Sequence, residues 1–330
     1  MMLPETRSSR NTFATTPAAR FGHSAARCID IGLVNNMPDA ALEATERQFR
    51  TLLAAATDGV VVRLRLFALP GVPRSDAARR HLDSYSDLAE LWSSRLDGLI
   101  VTGAEPRQPN LRDEPYWDSL SKLVEWADDH TSSTVWSCLA AHAAVLHLDG
   151  IERRPLAEKR FGVFDYSAAS DHPLTAGVPR RFRMPHSRWN EVPEDALRAC
   201  GYRVISRSDE MGVDAFVRRR KGLYVFFQGH PEYDADTLLL EYRRDVRRFR
   251  RRERDTYPLM PQGYFDDGTT AALAAIRESA LVNRGDERTA DLPADLAARV
   301  TNTWRPAAAS IYGNWLRYLC AQKEHRLNAT

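Results

Sequence analysis

The chain has few cysteines, and none of them has the spacing of a structural metal site. Cys28, Cys138, Cys200 and Cys320 are widely separated in the 330 residues and form no C-x-x-C pair. This spacing argues against a structural zinc site and against a disulfide scaffold. We therefore expect a reducing, cytoplasmic setting in which one thiol is available for chemistry.

Long apolar runs and a large net charge are also absent. No apolar run approaches the roughly 20 residues that a transmembrane helix requires, and the formal net charge is only +2. The sequence therefore predicts neither a membrane partner nor a bulk attraction to nucleic acid. The local exception is the arginine-rich segment 243–255, which we interpret as a solvated helix face, with an anionic ligand as the alternative.

Sequence motifs for nucleotides, metals and secretion are missing as well. There is no G-x-G-x-x-G or G-x-x-x-x-G-K-[ST] motif, and His, Asp and Glu do not cluster at metal-ligand spacing. We therefore predict no catalytic metal and no bound cofactor. Residues 1–27 lack the apolar core of a secretory signal, so we interpret them as a flexible extension. Residues 28–330 are predicted to form a single domain with a helical C-terminal part.

Apolar strand patterns alternate with amphipathic helix patterns through the first 150 residues. The predicted strands lie near 28–34, 60–69, 97–102 and 133–137. This alternation predicts an α/β fold with a parallel sheet covered by helices on both faces. Residues 160–225 are richer in strand patterns and either continue the sheet or fold back as hairpins. Further helices are expected at about 269–283 and 290–325.

Cys138 lies where an apolar strand meets the start of an alanine-rich helix. Backbone N–H groups at a helix N-terminus favour a thiolate, and they can also bind a tetrahedral oxyanion. The strand, turn and helix around Cys138 are typical of a nucleophile elbow. The alternative is that Cys138 is a small buried apolar residue, as many free cysteines are.

A second polar cluster follows the apolar run GLYVFF, where FQGHPEYD contains His230 and Glu232. An imidazole with a nearby carboxylate can act as a general base with its orienting group. The alternative is a His–Pro turn whose charged groups face solvent. His142, one helical turn after Cys138, is interpreted as a packed histidine. His186 lies directly before Ser187 and Arg188 in the segment MPHSRW.

The sequence resembles the homoserine O-acyltransferases, whose fold is of the class I glutamine-amidotransferase type. The resemblance extends, in the family's order, from about residue 28 to 320. The segments that carry it are VNNMPDAALEATERQF, DGLIVTGAEP with PYW after it, the Cys138 elbow, AEKRFGVFDY, MPHSRW, GHPEYDADTLLLEYRRDV and YGNWLRYL.

This resemblance implies a three-layer α/β/α sandwich, flavodoxin-like, with a mostly parallel sheet and a C-terminal helical extension. It also implies a homodimer and a catalytic triad of Cys138, His230 and Glu232, in which the cysteine carries the acyl group as a thioester. The main-chain N–H groups of Asn36 and Leu139 would form the oxyanion site.

The family's acceptor-binding contacts would map onto Lys159, Ser187, Arg188 and Arg244. Arginine suits an amino-acid acceptor because its fork binds an α-carboxylate through two hydrogen bonds. After TGA, family members tend to carry glycine when they use succinyl-CoA and glutamate when they use acetyl-CoA. Arg107 occupies that position here. We hypothesise that its charge pairs with the free carboxylate of a succinyl group.

The chain departs from the family at the lysine that usually follows Met–Pro, because Ala40 and Ala41 stand in that region. The elbow SCLAA also lacks the glycines of a glutamine-hydrolysing G-x-C-x-G motif. The expected function is transfer of an acyl group, most simply succinyl, from acyl-CoA as co-substrate to homoserine. Alternatives are an acetyl-CoA donor, a serine or secondary-metabolite hydroxyl as acceptor, a glutamine-amidotransferase-like hydrolase, and a non-catalytic binding protein.

Overall fold

The computed structural model describes residues 27–282, 284 and 292–329, so the extension predicted for 1–27 lies almost entirely outside it. The strands are β1 Cys28–Val34, β2 Val61–Phe67, β3 Gly98–Thr102, β4 Ser133–Ser137, β5 Arg154–Ala168, β6 Arg181–Glu191, β7 Arg203–Ser208, β8 Gly212–Arg219 and β9 Leu223–Phe227. The helices are α1 Leu42–Ala56, α2 Asp76–Leu82, α3 Leu88–Ser93, α4 Trp117–His130, α5 Leu139–Asp149, α6 Glu194–Ala199, α7 Thr237–Arg250, α8 Asp267–Val282 and α9 Arg305–Asn328.

All the strands belong to one sheet, in the order β2-β1-β3-β4-β9-β8-β7-β5-β6. The first five pair in parallel, and the remaining pairings are antiparallel. The α/β prediction is therefore confirmed. The strand-rich region after residue 150 folds back on itself. The turns that join β7 to β8 and β8 to β9 are short and can connect only antiparallel neighbours.

The central parallel strands are apolar along their whole length because helices cover both faces of the sheet. Every residue of β3, β4 and β9 is buried. One core contains side chains of α4 and α5 with Trp136, and the other contains Phe49 of α1 with Trp315 of α9. This arrangement brings the carboxyl ends of β1, β3, β4 and β9 to one edge of the sheet.

The C-terminal helix forms part of the core. It begins at Arg305, with a proline in its first turn, so the helix predicted for 290–325 starts later than expected. Trp315 Nε1 donates to Ser133 Oγ at 2.9 Å, which ties α9 to β4. Among the described helices, none is long and apolar enough to cross a membrane.

Candidate active site

Cys138 occupies a sharp turn between β4 and α5. Its backbone has φ 51° and ψ −113°, a conformation that side-chain-bearing residues seldom adopt. Its N–H donates to the carbonyl oxygen of Phe227 at 2.8 Å, which joins the end of β4 to the end of β9. Such backbone strain costs of order 1–3 kcal/mol and is concentrated at functional sites. The fold therefore presents the Cys138 thiol at the strand edge.

His230 and Glu232 follow β9 directly and lie beside this turn. His230 Nδ1 is 2.9 Å from Glu232 Oε1, and both residues are buried, with exposed fractions of 5% and 4%. The His230 N–H donates to Pro185 O at 2.9 Å, and the imidazole stacks on Tyr233 with ring centroids 4.2 Å apart. The three residues that the sequence nominated as a triad are thus brought together.

The charge state of His230 depends on its two partners. Burial alone would lower the pKa of this imidazole. The charges of Cys138 and Glu232, together with their side-chain hydrogen bonds, outweigh burial and raise the pKa of His230 well above its ordinary value. An imidazolium at neutral pH stabilises a neighbouring thiolate. This pairing can generate a nucleophile without an added base.

The predicted oxyanion donors differ in availability. The Asn36 N–H already donates to Thr102 Oγ1 at 2.8 Å, so it is not free to bind an oxyanion in this structure. Leu139 is the first residue of α5, where an N–H has no intrahelical acceptor. Gly103 packs directly against it, since a Cβ on Gly103 would lie 2.5 Å from the Leu139 Cβ. The geometry therefore favours Leu139 over Asn36.

Two of the predicted acceptor-binding residues meet at a shared carboxylate on α7. Ser187 Oγ donates to Glu241 Oε2 at 2.5 Å, and Lys159 Nζ lies 3.6 Å from the same oxygen. Tyr233 OH donates to Glu241 Oε1 at 2.8 Å, which links the cluster to the ring that stacks on His230. Arg244 is one turn further along α7, half-exposed and 3.0 Å from Asp245.

Arg188 has a different environment from its neighbour Ser187. It is 3% exposed, and its Nη1 and Nη2 donate to the carbonyl oxygens of Asn190 at 2.8 Å and Met211 at 3.3 Å. Its Nε donates to His186 Nδ1 at 3.2 Å. Burial lowers the pKa of the guanidinium, and the charge of Cys138 is among the influences that raise it. Arg188 thus lies within electrostatic range of Cys138.

Arg107 is exposed, in the loop after β3. Its main chain is well anchored, because the N–H groups of Arg107 and Gln108 donate to buried Glu114 Oε1 at 2.5 and 2.8 Å. The structure does not bring the Arg107 side chain into contact with the other predicted ligands.

Three polar residues near the site were not predicted from the sequence, and two of them, Asp214 and Gln228, are buried. Glu241 joins the acceptor candidates, Asp214 lies 3.4 Å from His186 Nε2, and Gln228 lies 3.1 Å from His142 Nε2. The available signal was a charged residue inside an otherwise apolar run, as in GVDAFV, because buried charges are rare without a partner. Across the described ranges, no three His, Cys, Asp or Glu side chains are grouped so that they could hold a metal ion.

Solved structures that match this structure include glutamine amidotransferases. One from Thermotoga maritima is 12% identical and covers 88% of this chain and 98% of its own, with a TM-score of 0.45. Another from Methylobacillus flagellatus is 14% identical and covers 88% and 95%, with a TM-score of 0.47.

Sequence comparison gives much stronger matches. The family model described as homoserine O-succinyltransferase matches residues 5–326. A protein of that name from Methylorubrum extorquens is 51% identical over 293 residues, which are 88% of this chain and 87% of the relative. Another from Rhodopseudomonas palustris is 50% identical over 302 residues, 91% and 90% of the two chains. The chain belongs to the homoserine O-succinyltransferase family.

Proposed function

We propose that this acyltransferase moves a succinyl group from succinyl-CoA to the side-chain hydroxyl of homoserine, through a thioester on Cys138. The names of its relatives supply the reaction. The observation that supports the covalent route is the convergence of a strained Cys138 with a buried His230–Glu232 pair. Acyl-CoA is a co-substrate in this scheme, and no bound cofactor takes part.

In the first half-reaction, the Cys138 thiolate attacks the thioester carbonyl of succinyl-CoA. The oxyanion of the tetrahedral intermediate would accept a hydrogen bond from the Leu139 N–H at the start of α5. As the intermediate collapses, the bond to the CoA sulfur breaks, and the His230 imidazolium donates its proton to that sulfur. Neutral His230 and a succinyl thioester on Cys138 remain.

In the second half-reaction, His230 removes the proton from the homoserine hydroxyl as its oxygen attacks the thioester carbonyl. The Cys138 sulfur leaves as a thiolate beside the newly formed imidazolium, which restores the starting state. Glu232 holds the imidazole through Nδ1 in both steps, and its buried position limits competition from water.

The cluster around Glu241 suits an amino-acid acceptor because it contains groups of both signs. Lys159 and Arg244 can bind an α-carboxylate, while Glu241 can accept hydrogen bonds from an α-ammonium group. Ser187 links this cluster to β6.

All four cysteines are free thiols, as expected for a reducing cytoplasm, where we propose that the enzyme acts. The homodimer stays a prediction.

Intact-protein mass after brief incubation with succinyl-CoA, without acceptor, tests the covalent route. We expect a single succinyl adduct on the wild type and none on Cys138→Ala. Acetyl-CoA in a parallel incubation reports the donor preference. Absence of an adduct from both donors on an active wild type would contradict the thioester, and glutamine hydrolysis would then be assayed.

A further inference from the structure

We propose that Arg188 binds the free carboxylate of the succinyl group while that group is carried on Cys138, and that His186 and Asp214 are positioning residues for Arg188. The resemblance placed Arg188 among the acceptor contacts, and a separate hypothesis paired Arg107 with the donor carboxylate. The present proposal assigns that carboxylate to Arg188 instead and rests on the function proposed above. It rests on strand geometry, on the distribution of charge and on a buried polar relay.

Strand geometry separates Arg188 from the acceptor cluster. Consecutive residues of a strand point to opposite faces of the sheet, so Ser187 and Arg188 cannot share one pocket wall. Ser187 points towards Glu241 on α7. Arg188 shares its face with His186, and its charge acts on His142 in α5 as well as on Cys138. Ser187 and Arg188 therefore lie on opposite faces of the sheet, and Arg188 is the one whose charge interacts with Cys138.

The distribution of charge also separates the two sides. Around Glu241, two acids and two bases occur together: Glu241 and Asp245 with Lys159 and Arg244. A zwitterionic amino acid requires such a balanced set. Arg188 is buried, and its guanidinium donates to two carbonyl oxygens and one imidazole.

A buried guanidinium without a contact ion pair is costly unless a ligand supplies the opposite charge. Homoserine brings no net charge, because its ammonium and carboxylate cancel. The succinyl thioester brings one negative charge, on the carboxylate at its far end. The Arg188 guanidinium therefore matches this carboxylate, because the nearby Asp214 contacts His186 and forms no contact ion pair with Arg188.

A buried relay fixes the direction of Arg188. His186 Nδ1 accepts from Arg188 Nε, so the imidazole hydrogen is on Nε2, which faces Asp214 Oδ1 at 3.4 Å. Asp214 is held in turn by Ser206 Oγ at 3.1 Å and the Gly229 N–H at 3.2 Å. Asp214 thus lies beyond the imidazole ring, where it orients the relay without forming a contact pair with Arg188.

The test compares succinyl-CoA with butyryl-CoA, whose acyl chain has the same carbon count but no carboxylate. Rates of Cys138 acylation are measured by quenched intact mass without acceptor, so that homoserine binding cannot contribute. The wild type should favour succinyl. Arg188→Met should lower the succinyl-to-butyryl rate ratio by about 100-fold, the usual effect of losing a charged hydrogen-bond pair. An unchanged ratio would overturn the proposal.

The outcomes separate this proposal from the general function. No succinyl adduct on the wild type contradicts the proposed function itself. A normal wild-type adduct with an unchanged ratio in Arg188→Met overturns only the present assignment, and a raised KM for homoserine in that variant would return Arg188 to the acceptor. A collapse of the ratio in Arg107→Met, with Arg188→Met unaffected, would transfer the donor carboxylate to Arg107.

Two further sets of variants guard against a simple folding defect. Arg183→Met removes another arginine of β6 that also donates to carbonyl oxygens, and it should keep the wild-type ratio. If Arg188→Met forms neither adduct, Arg188→Lys is measured instead. The same fall in the succinyl-to-butyryl ratio is expected because lysine lacks the guanidinium fork.

The positioning role of His186 is tested by two variants. His186→Asn should retain most of the succinyl-to-butyryl ratio, since its amide oxygen can accept from Arg188 Nε, whereas His186→Leu should lower the ratio about 10-fold. Equal ratios in the Asn and Leu variants would exclude the positioning role.

Discussion

The parallel and antiparallel halves of the sheet contribute to the site in different ways. The parallel half supplies Thr102, Cys138 and His230 from the ends of neighbouring strands, where chain turns bring short segments together. The antiparallel half supplies Lys159, Ser187 and Arg188 from within two long paired strands. Reacting groups therefore come from strand ends, and candidate binding groups come from the two faces of one hairpin. The strand ends align the reacting atoms of Cys138 and His230. The two faces of the β5–β6 hairpin keep the proposed binding groups for the acyl donor and for homoserine apart.

Substitution of the general base His230 or of its partner Glu232, both supplied by the parallel half, should have the largest effect on activity. His230→Gln is expected to lower kcat by about 10³-fold and Glu232→Gln by about 10²-fold, because general acid–base catalysis contributes in that range. The raised pKa of His230 reflects its pairing with Cys138 and Glu232. Both variants should therefore also slow iodoacetamide alkylation of Cys138 at pH 6. His147→Gln, which removes a surface histidine paired with Glu125, is the matched control. Wild-type alkylation rates in His230→Gln would show that His230 does not activate the Cys138 thiol.

Gly103 and Gly229 pack against residues of different halves of the sheet, so their alanine variants test the two halves separately. A Cβ on Gly103 would lie 2.5 Å from the Leu139 Cβ, and one on Gly229 would lie 2.6 Å from Asp214 Oδ1. Overpacking of this kind typically costs 1–3 kcal/mol. Gly103→Ala should slow Cys138 acylation equally with succinyl-CoA and butyryl-CoA, whereas Gly229→Ala should mainly reduce the preference for succinyl. The same pattern in both variants would remove the distinction between the halves.

A substitution on the acceptor side of the β5–β6 hairpin should weaken homoserine binding and leave the reaction with succinyl-CoA unchanged. Ser187→Ala removes the hydroxyl that donates to Glu241, and we expect the KM for homoserine to rise about 10-fold. The rate at which succinyl-CoA acylates Cys138 should stay at the wild-type value, because no acceptor takes part in that step. Steady-state kinetics and quenched mass measurements check the two statements separately. Slower acylation with an unchanged KM would place Ser187 on the donor side.

The last prediction concerns the stability of the fold at low pH. Burial lowers the pKa of His142 to about 3 and that of His186 to about 4, whereas the unfolded chain has ordinary histidines near 6.5. Below pH 6.5 the unfolded state therefore binds more protons than the folded state. The free energy of unfolding should fall by up to about 1.4 kcal/mol per pH unit for each residue as pH drops towards 4.

His142→Gln should flatten this pH dependence, while His325→Gln, at an exposed position of α9, should not. Urea unfolding at pH 7, 6 and 5 gives the slopes. A His142→Gln slope as steep as that of the wild type would show that His142 is not buried as a neutral imidazole.

The sequence predicted the parallel half well because its signals are local. Cys138 stands between an apolar strand and a helix, and His230 follows another strand, so both positions could be inferred from short segments. Asp214 and Glu241 could not be inferred in this way. Their partners, His186 and Ser187, are 28 and 54 residues away and become neighbours only through strand pairing and the docking of α7. Strand alternation alone places Ser187 and Arg188 on opposite faces, but which of them meets α7 required the folded structure.

The central claim is tested most directly by one turnover from an isolated intermediate. Wild-type enzyme is loaded with succinyl-CoA, freed of CoA by rapid gel filtration, and mixed with homoserine. We predict that the succinyl mass on Cys138 disappears while one equivalent of O-succinylhomoserine forms, and that Cys138→Ala yields neither adduct nor product. An adduct that persists in the presence of homoserine, or product formed by Cys138→Ala, would contradict transfer through the cysteine.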